Sequence, residues 1–151
     1  MIAFALITLL LPLSVTHSDS SQQQRAFRPY GYYFIQGRVP KGFQNIDTIQ
    51  YWLPRIETSG LDDSLRLAGV NLVGNTRYRF ATITVNRKNF SFVTKKIKGV
   101  HYSFSGRFLR TDFLNDELKE ERAVVRGTLV KYKNDTRVAQ ANITLSYFSG
   151  T

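Results

Sequence analysis

The chain of 151 residues contains no cysteine, and it has few acidic residues for its length. Without cysteine, disulfide bonds, thiolate metal sites and a cysteine nucleophile are all excluded. Only 11 Asp and Glu stand against 21 Lys and Arg, which gives a formal net charge of +10. The composition, with 42% hydrophobic and 21% charged residues, is that of a globular protein rather than a disordered one. The length favours a single domain.

Long apolar runs are also absent, except for one at the N terminus, over residues 2–15. This run is shorter than the roughly 20 residues that a membrane-spanning helix needs, and its length is typical of the apolar core of a signal peptide. Small residues at Ser14 and Thr16 favour cleavage after Thr16. We therefore expect residues 1–16 to be a signal peptide and the protein to be secreted, to the extracellular space or the periplasm depending on its source. The alternative is that the segment is retained as an anchor.

A polar stretch follows the apolar run and contains no residue that would anchor it to a core. Residues 17–27 are therefore predicted to be a disordered leader. Residues 28–151 are predicted to form one domain, which is long enough to build a core without covalent cross-links.

The predicted domain is rich in residues that favour strands, including 11 Phe and 8 Tyr in the whole chain. Apolar and polar residues alternate most clearly over 100–108 and over 139–147, which is the period of a strand with one buried face. Eight strands are predicted, over residues 32–39, 48–53, 65–72, 78–85, 90–97, 100–110, 122–132 and 138–148. The fold class is therefore all-β: a single antiparallel domain of about eight strands, either a calycin-like barrel or a sandwich, with a meander in its C-terminal half.

The length of the last hairpin loop decides which residues of its two strands face each other. A two-residue loop at Asn134 and Asp135 would place Arg126 opposite Ile143 on the buried face. A three-residue loop ending at Thr136 instead aligns apolar residues, because a slip of one residue reverses a strand face. It pairs Ala123, Val125, Gly127 and Leu129 with Tyr147, Leu145, Ile143 and Ala141. The pattern therefore favours the three-residue loop, with Gly127 as a packing or bulge glycine.

Positive charge is concentrated between Ser64 and Arg110, where ten basic residues occur without an acidic one. Nine of them are the candidate anion-binding residues: Arg77, Arg79, Arg87, Lys88, Lys95, Lys96, Lys98, Arg107 and Arg110. A turn at Arg87 and Lys88 would bring Arg79 opposite Lys96. Because like charges directly opposite are destabilising, we expect an anion or the acidic stretch 112–121 to lie over that pair, unless the side chains diverge into solvent.

A concentrated positive field attracts polyanions. We therefore expect a secreted, non-enzymatic binding protein that uses a basic sheet face, residues 77–110, to engage an anionic glycan, an anionic membrane surface or an acidic protein. Nucleic acid is disfavoured as a partner, because Phe at alternate strand positions is more typical of a core than of base stacking. The alternative is a small barrel that carries a hydrophobic small ligand in a cavity lined by Phe and Tyr.

The residues that catalysis or metal binding requires are sparse. His101 shares a strand face with Ser103 and Ser105, but no acidic residue that could orient it is nearby in sequence. We therefore expect no catalytic residue, no metal site and no cofactor, with a hydrolase using dispersed carboxylates as a third and weaker alternative. Three Asn-X-Ser/Thr sequons, at Asn89, Asn134 and Asn142, are candidate N-glycosylation sites in a eukaryotic secretory pathway.

Overall fold

The computed structural model describes residues 27–51, 68–112 and 122–149. The predicted signal peptide and the leader up to residue 26 lie outside these residues, as do the end of the second predicted strand, the start of the third and residues 113–121 of the acidic stretch. The described part of the chain forms no helix that is long and apolar enough to cross a membrane.

Eight strands are formed where the sequence predicts them, with ends that differ by up to four residues. They are β1 (Gly31–Ile35), β2 (Ile46–Tyr51), β3 (Gly69–Leu72), β4 (Arg77–Val85), β5 (Asn89–Thr94), β6 (Val100–Phe108), β7 (Ala123–Lys133) and β8 (Thr136–Phe148). Each strand pairs with the next along the chain, and β8 pairs with β1, so that the sheet is a closed antiparallel barrel. The prediction of an all-β antiparallel domain is confirmed, and of its two options the barrel is the one that forms.

The interior of the barrel is built from the apolar faces that the alternation predicts. On β6, Tyr102, Phe104 and Phe108 are buried, while Ser105 and Arg107 between them are exposed. The ring of Phe90 lies at the centre, with ring centroids of Tyr33 at 4.8 Å and of Phe104 and Phe108 at 5.9 Å. Aromatic pairs at such separations add to the stability that burial itself provides.

The loop of the last hairpin is shorter than the sequence predicts. Its loop has two residues, because Lys133 pairs with Thr136. Both loop residues are left-handed, Asn134 with φ of 50° and Asp135 with φ of 62°, as a type I′ turn requires. An extra residue in β8, Val138, then shifts the register by one.

That bulge restores the alignment expected from the hydrophobic pattern, with Leu129 opposite Ala141 and Gly127 opposite Ile143. The predicted pairing of Ala123 with Tyr147 is wrong, because Val124 is a second extra residue and moves Ala123 opposite Ser146. Bulges of this kind add local twist and bend a strand, as the curvature of a barrel requires.

The hairpin of β4 and β5 follows the predicted register only near its turn. Val85 lies opposite Phe90 and Ile83 opposite Phe92, as expected. Ala81 is an extra residue on β4, so the predicted pairing of Arg79 with Lys96 is wrong. The backbone N–H of Lys95 instead donates to the carbonyl of Arg79 at 2.7 Å.

The up-and-down order of the strands gives the barrel two distinct ends. The groove end contains the β4–β5 turn (86–88), the end of β6 and the start of β7. The N-terminal segment 27–30 packs against this end. There Phe27, which the sequence places in the leader, contacts Phe108 edge to face at 5.0 Å. The hairpin end contains the turns at 73–76, 95–99 and 134–135.

Candidate anion-binding groove

A groove of about 710 Å³ lies on the outer surface of the barrel near the groove end. It crosses strands β5 to β8 and takes in the β4–β5 turn. Its basic lining residues are Arg87, Lys88, Arg107 and Arg126, and no acidic residue of the described ranges lines it. The remaining lining residues are Asn89, Ser105, Gly106, Phe108, Gly127, Thr128 and Asn142.

Two arginines face each other directly across this groove. Arg107 on β6 pairs in register with Arg126 on β7, and both side chains are exposed on the outer face of the barrel. Residues paired in this way have Cα atoms about 5 Å apart. Neither guanidinium has an ion-pair partner within the described ranges. No acidic side chain of that part of the chain offsets their mutual repulsion, and such a pair is destabilising unless an anion binds between the two charges.

Two paired glycines form the floor of the groove. Gly106 and Gly127 lie opposite each other on β6 and β7, and a Cβ atom on Gly127 would lie closer than 3.0 Å to the backbone of Ser105 and Gly106. The ring of Phe104 covers both glycines from inside the barrel, at 2.6–2.7 Å from where their Cβ atoms would lie. Gly127 is thus a packing glycine, as the sequence predicts, because a side chain there would meet the ring of Phe104 inside the barrel.

Four of the nine predicted basic residues lie at the groove end. Arg87, Lys88 and Arg107 line the groove. The guanidinium of Arg87 also lies over the ring of Phe27, at 5.7 Å from its centroid. Arg110 lies just beyond β6 and makes two hydrogen bonds to the carboxylate of Asp112, at 2.6 and 2.7 Å. The hydrogen bond from Arg110 lowers the pKa of Asp112.

The other five predicted residues, Arg77, Arg79, Lys95, Lys96 and Lys98, lie toward the hairpin end. Strand β5 separates Lys95 from the β4–β5 turn, and its length corresponds to roughly 20 Å. The ammonium group of Lys96 binds the carboxylate of Asp135 at 2.6 Å, and its hydrogen bond is the main cause that lowers the pKa of Asp135. Asp135 is thus the acid that pairs with Lys96 among the described residues, and the nine predicted basic residues are divided between the two ends of the barrel.

Arg126 is the groove residue that sequence reasoning missed. It lies outside the basic block 64–110, and the stretch between β6 and β7 is too long for its length to fix the register. The one available signal was the pair of glycines on the buried faces of the two strands. Aligning Gly106 with Gly127 places Arg107 opposite Arg126.

The structure gives no support to a catalytic role for His101. Its ring stacks on that of Tyr132 at 4.6 Å, and its Nδ1 atom is buried with no hydrogen-bond partner in the part of the chain that the structure describes. Among the described residues, no group of three or more His, Cys, Asp or Glu is placed to hold a metal ion.

The three sequons differ in their surroundings. Asn89 and Asn142 line the groove, and the hydroxyl of Thr128 donates to Oδ1 of Asn142 at 2.8 Å. Asn134 lies in the two-residue turn at the hairpin end. A glycan on Asn89 or Asn142 would therefore occupy the groove, whereas one on Asn134 would not.

Comparisons with known proteins yield no relative. No protein-family model matches the chain, and neither a curated protein nor a solved structure is significantly similar to it.

Proposed function

We propose that this protein is a secreted, non-enzymatic binding protein that engages an anionic macromolecule through the groove. The observation that carries the proposal is the opposition of Arg107 and Arg126 across two paired strands, with no ion-pair partner in the described part of the chain. An anion held between the two guanidinium groups would convert a repulsive pair into two attractive contacts.

The shape of the surface adds to this argument. A concave region lined by charge of one sign focuses the electrostatic field and raises the local concentration of counter-ions. Arginine also suits the role better than lysine, because its planar guanidinium group can donate two parallel hydrogen bonds to a sulfate, carboxylate or phosphate. The groove joins Arg107 and Arg126 to Lys88 and Arg87, which supply further positive charge at one side.

Secretion is proposed from the apolar segment at residues 2–15, and a macromolecular anion outside the cytoplasm then has ready access to the groove. The hydrophobic-ligand alternative gains less support from the structure. Aromatic residues proposed to line a ligand cavity instead contact one another in the barrel interior, where the ring centroids of Phe92 and Phe104 lie 5.6 Å apart.

The test is binding of the unglycosylated protein to immobilised heparin over a series of salt concentrations. We compare two double variants that remove the same charge: Arg107→Ala with Arg126→Ala in the groove, and Lys95→Ala with Lys98→Ala at the hairpin end. We expect the groove variant to bind far more weakly and to show a slope of log affinity against log salt that is smaller by about two. The hairpin-end variant should retain most of the wild-type affinity. Equal losses in the two variants would reduce the binding to a general effect of net charge.

A further inference from the structure

The outer face beside the two arginines carries a second row of residues of a different chemical kind. Consecutive strand pairings align Thr84, Ser91, Ser105, Thr128 and Asn142 across β4 to β8. A smaller cavity of about 340 Å³ continues the groove over this row and shares Ser105 and Thr128 with it. The row spans four strand spacings, or roughly 19 Å.

The arginine row runs parallel to this neutral row. Arg107 and Arg126 are each two residues from Ser105 and Thr128 along their strands, on the same outer face, which corresponds to roughly 7 Å. A ligand that spans the surface therefore meets positive charge on one side and hydroxyl and amide groups on the other. We propose that the anionic partner is an acidic glycan whose sulfate or carboxylate groups bind the two arginines and whose sugar hydroxyls bind the neutral row. This inference rests on the function proposed above.

The hydrogen-bonding state of the row suits a ligand with both donors and acceptors. The hydroxyl of Thr128 donates to Oδ1 of Asn142, which leaves the amide hydrogens of Asn142 available to a ligand. A hydroxyl group both donates and accepts, as the hydroxyls of a sugar do. A ligand composed only of anionic groups would find no positive charge along Thr84, Ser91 and Ser105.

Other anionic partners fit this surface less well. The aromatic residues in its lining, Phe92, Phe104 and Phe108, are buried with their rings inside the barrel, so they are not available for base stacking. A flat anionic membrane would contact the rim of a groove rather than hydroxyl groups inside it. Acidic vesicles and polyphosphate are therefore included in the test as competing ligands.

The experiment measures binding of a heparin hexasaccharide and of linear polyphosphate by calorimetry at one salt concentration. The hydroxyl variant combines Ser105→Ala with Thr128→Val. Its matched control removes two exposed hydroxyls at the hairpin end by Thr76→Val and Thr136→Val. We expect the hydroxyl variant to bind the hexasaccharide about tenfold more weakly, because it loses two hydrogen-bonding groups, and to bind polyphosphate as the wild type does. The control should match the wild type with both ligands.

The outcomes separate the two proposals. If the groove variant Arg107→Ala with Arg126→Ala loses both ligands while the hydroxyl variant loses neither, or loses both equally, the groove binds anions and the glycan inference is wrong. Tighter binding to phosphatidylserine vesicles than to the hexasaccharide, abolished in the same groove variant, would also overturn the glycan inference. If the groove variant binds both ligands as well as the wild type does, the proposed function itself fails.

Discussion

At the groove end, basic side chains face one another across a concave surface, whereas at the hairpin end they lie on or beside short turns. Arg107 and Arg126 are opposed without an ion pair in the described ranges, while Lys96 binds Asp135. The interior differs too. At the groove end the hydroxyls of Tyr33 and Tyr147 donate to backbone carbonyls, but at the hairpin end the buried hydroxyl of Tyr102 has no hydrogen-bond partner among the described residues.

This comparison shows that similar charge in two regions does not imply similar pairing of that charge. A surface lysine paired with an acid on a turn is largely neutralised, and such a pair contributes little to stability. Two arginines fixed by strand pairing cannot separate at their backbones, so under the proposed function their repulsion would be relieved by a bound anion. The following experiments test whether the two ends differ in this way.

The largest expected effect concerns the glycines at the two ends. Gly127→Ala should destabilise the protein by about 3 kcal/mol, because the new Cβ would clash with the backbone of Ser105 and Gly106. Among the described residues, a Cβ on Gly74 at the hairpin end would have no atom within 4 Å, so Gly74→Ala should cost about 1 kcal/mol, because of its φ of +88° alone. Urea unfolding of both variants measures the difference. Equal costs would mean that the floor of the groove is not tightly packed.

Removal of the hydroxyls of Tyr33 and Tyr102 should affect the stability of the protein differently. Tyr33→Phe should cost about 1 kcal/mol, because it removes a 2.6 Å hydrogen bond and leaves the carbonyl of Pro29 without that donor. Tyr102→Phe should be neutral or stabilising at pH 7, because its buried hydroxyl makes no hydrogen bond within the described ranges. Thermal unfolding of the two variants and the wild type measures both changes in stability. A destabilised Tyr102→Phe variant would contradict the expected difference.

The ionisation of Tyr102 makes the stability of the protein depend on pH in the alkaline range. Burial is the main cause that raises the pKa of Tyr102 from 10.0 to about 12, and the electrostatic effect of the neighbouring Tyr78 is the smaller cause. The phenol of Tyr102 ionises at lower pH in the unfolded chain than in the folded protein. Its contribution to the free energy of unfolding is therefore complete below pH 10 and is lost as the pH rises to about 12. We expect Tyr102→Phe to lose stability less steeply than the wild type over this interval. Parallel curves for the two proteins would contradict the expectation.

The smallest effect is that of reversing one charge at each end. Arg126→Glu places opposite charges across β6 and β7 and should stabilise the protein by roughly 0.5 kcal/mol while weakening its binding to heparin. Lys96→Glu removes the ion pair with Asp135 and adds a like charge, so it should be slightly destabilising. Chemical unfolding at low salt measures both signs. A destabilised Arg126→Glu variant would show that the two arginines do not repel each other in the free protein.

Much of the fold could be predicted because it depends on local patterns. The alternation over β6 correctly places Tyr102, Phe104 and Phe108 inside the barrel. The turn at Arg87 and Lys88 correctly pairs Val85 with Phe90. The two strand pairings that were predicted wrongly both lie beyond a bulge, because an extra residue such as Ala81 changes the register of everything that follows it.

The candidate site was less accessible to prediction. Arg87, Lys88 and Arg107 were identified because they lie in a block of basic residues, but the same block also supplied Lys95, Lys96 and Lys98 at the other end of the barrel. Arg126 was missed because it pairs with Arg107, and the stretch of chain that joins their two strands is too long to predict the register. Clustering of charge along a strand-rich sequence therefore overestimates clustering in space, since adjacent turns of a meander lie at opposite ends.

The sequence by itself determined the eight strands, the face that each turns inward and the large positive charge, because these follow from residue type and from the two-residue period of a strand. Only the tertiary structure decided that β8 closes on β1, that Gly106 lies opposite Gly127 and that Arg107 therefore faces Arg126. The physical reason is that strand pairing joins residues distant along the chain. A shift of one residue in that pairing would turn a charged side chain from the surface toward the core.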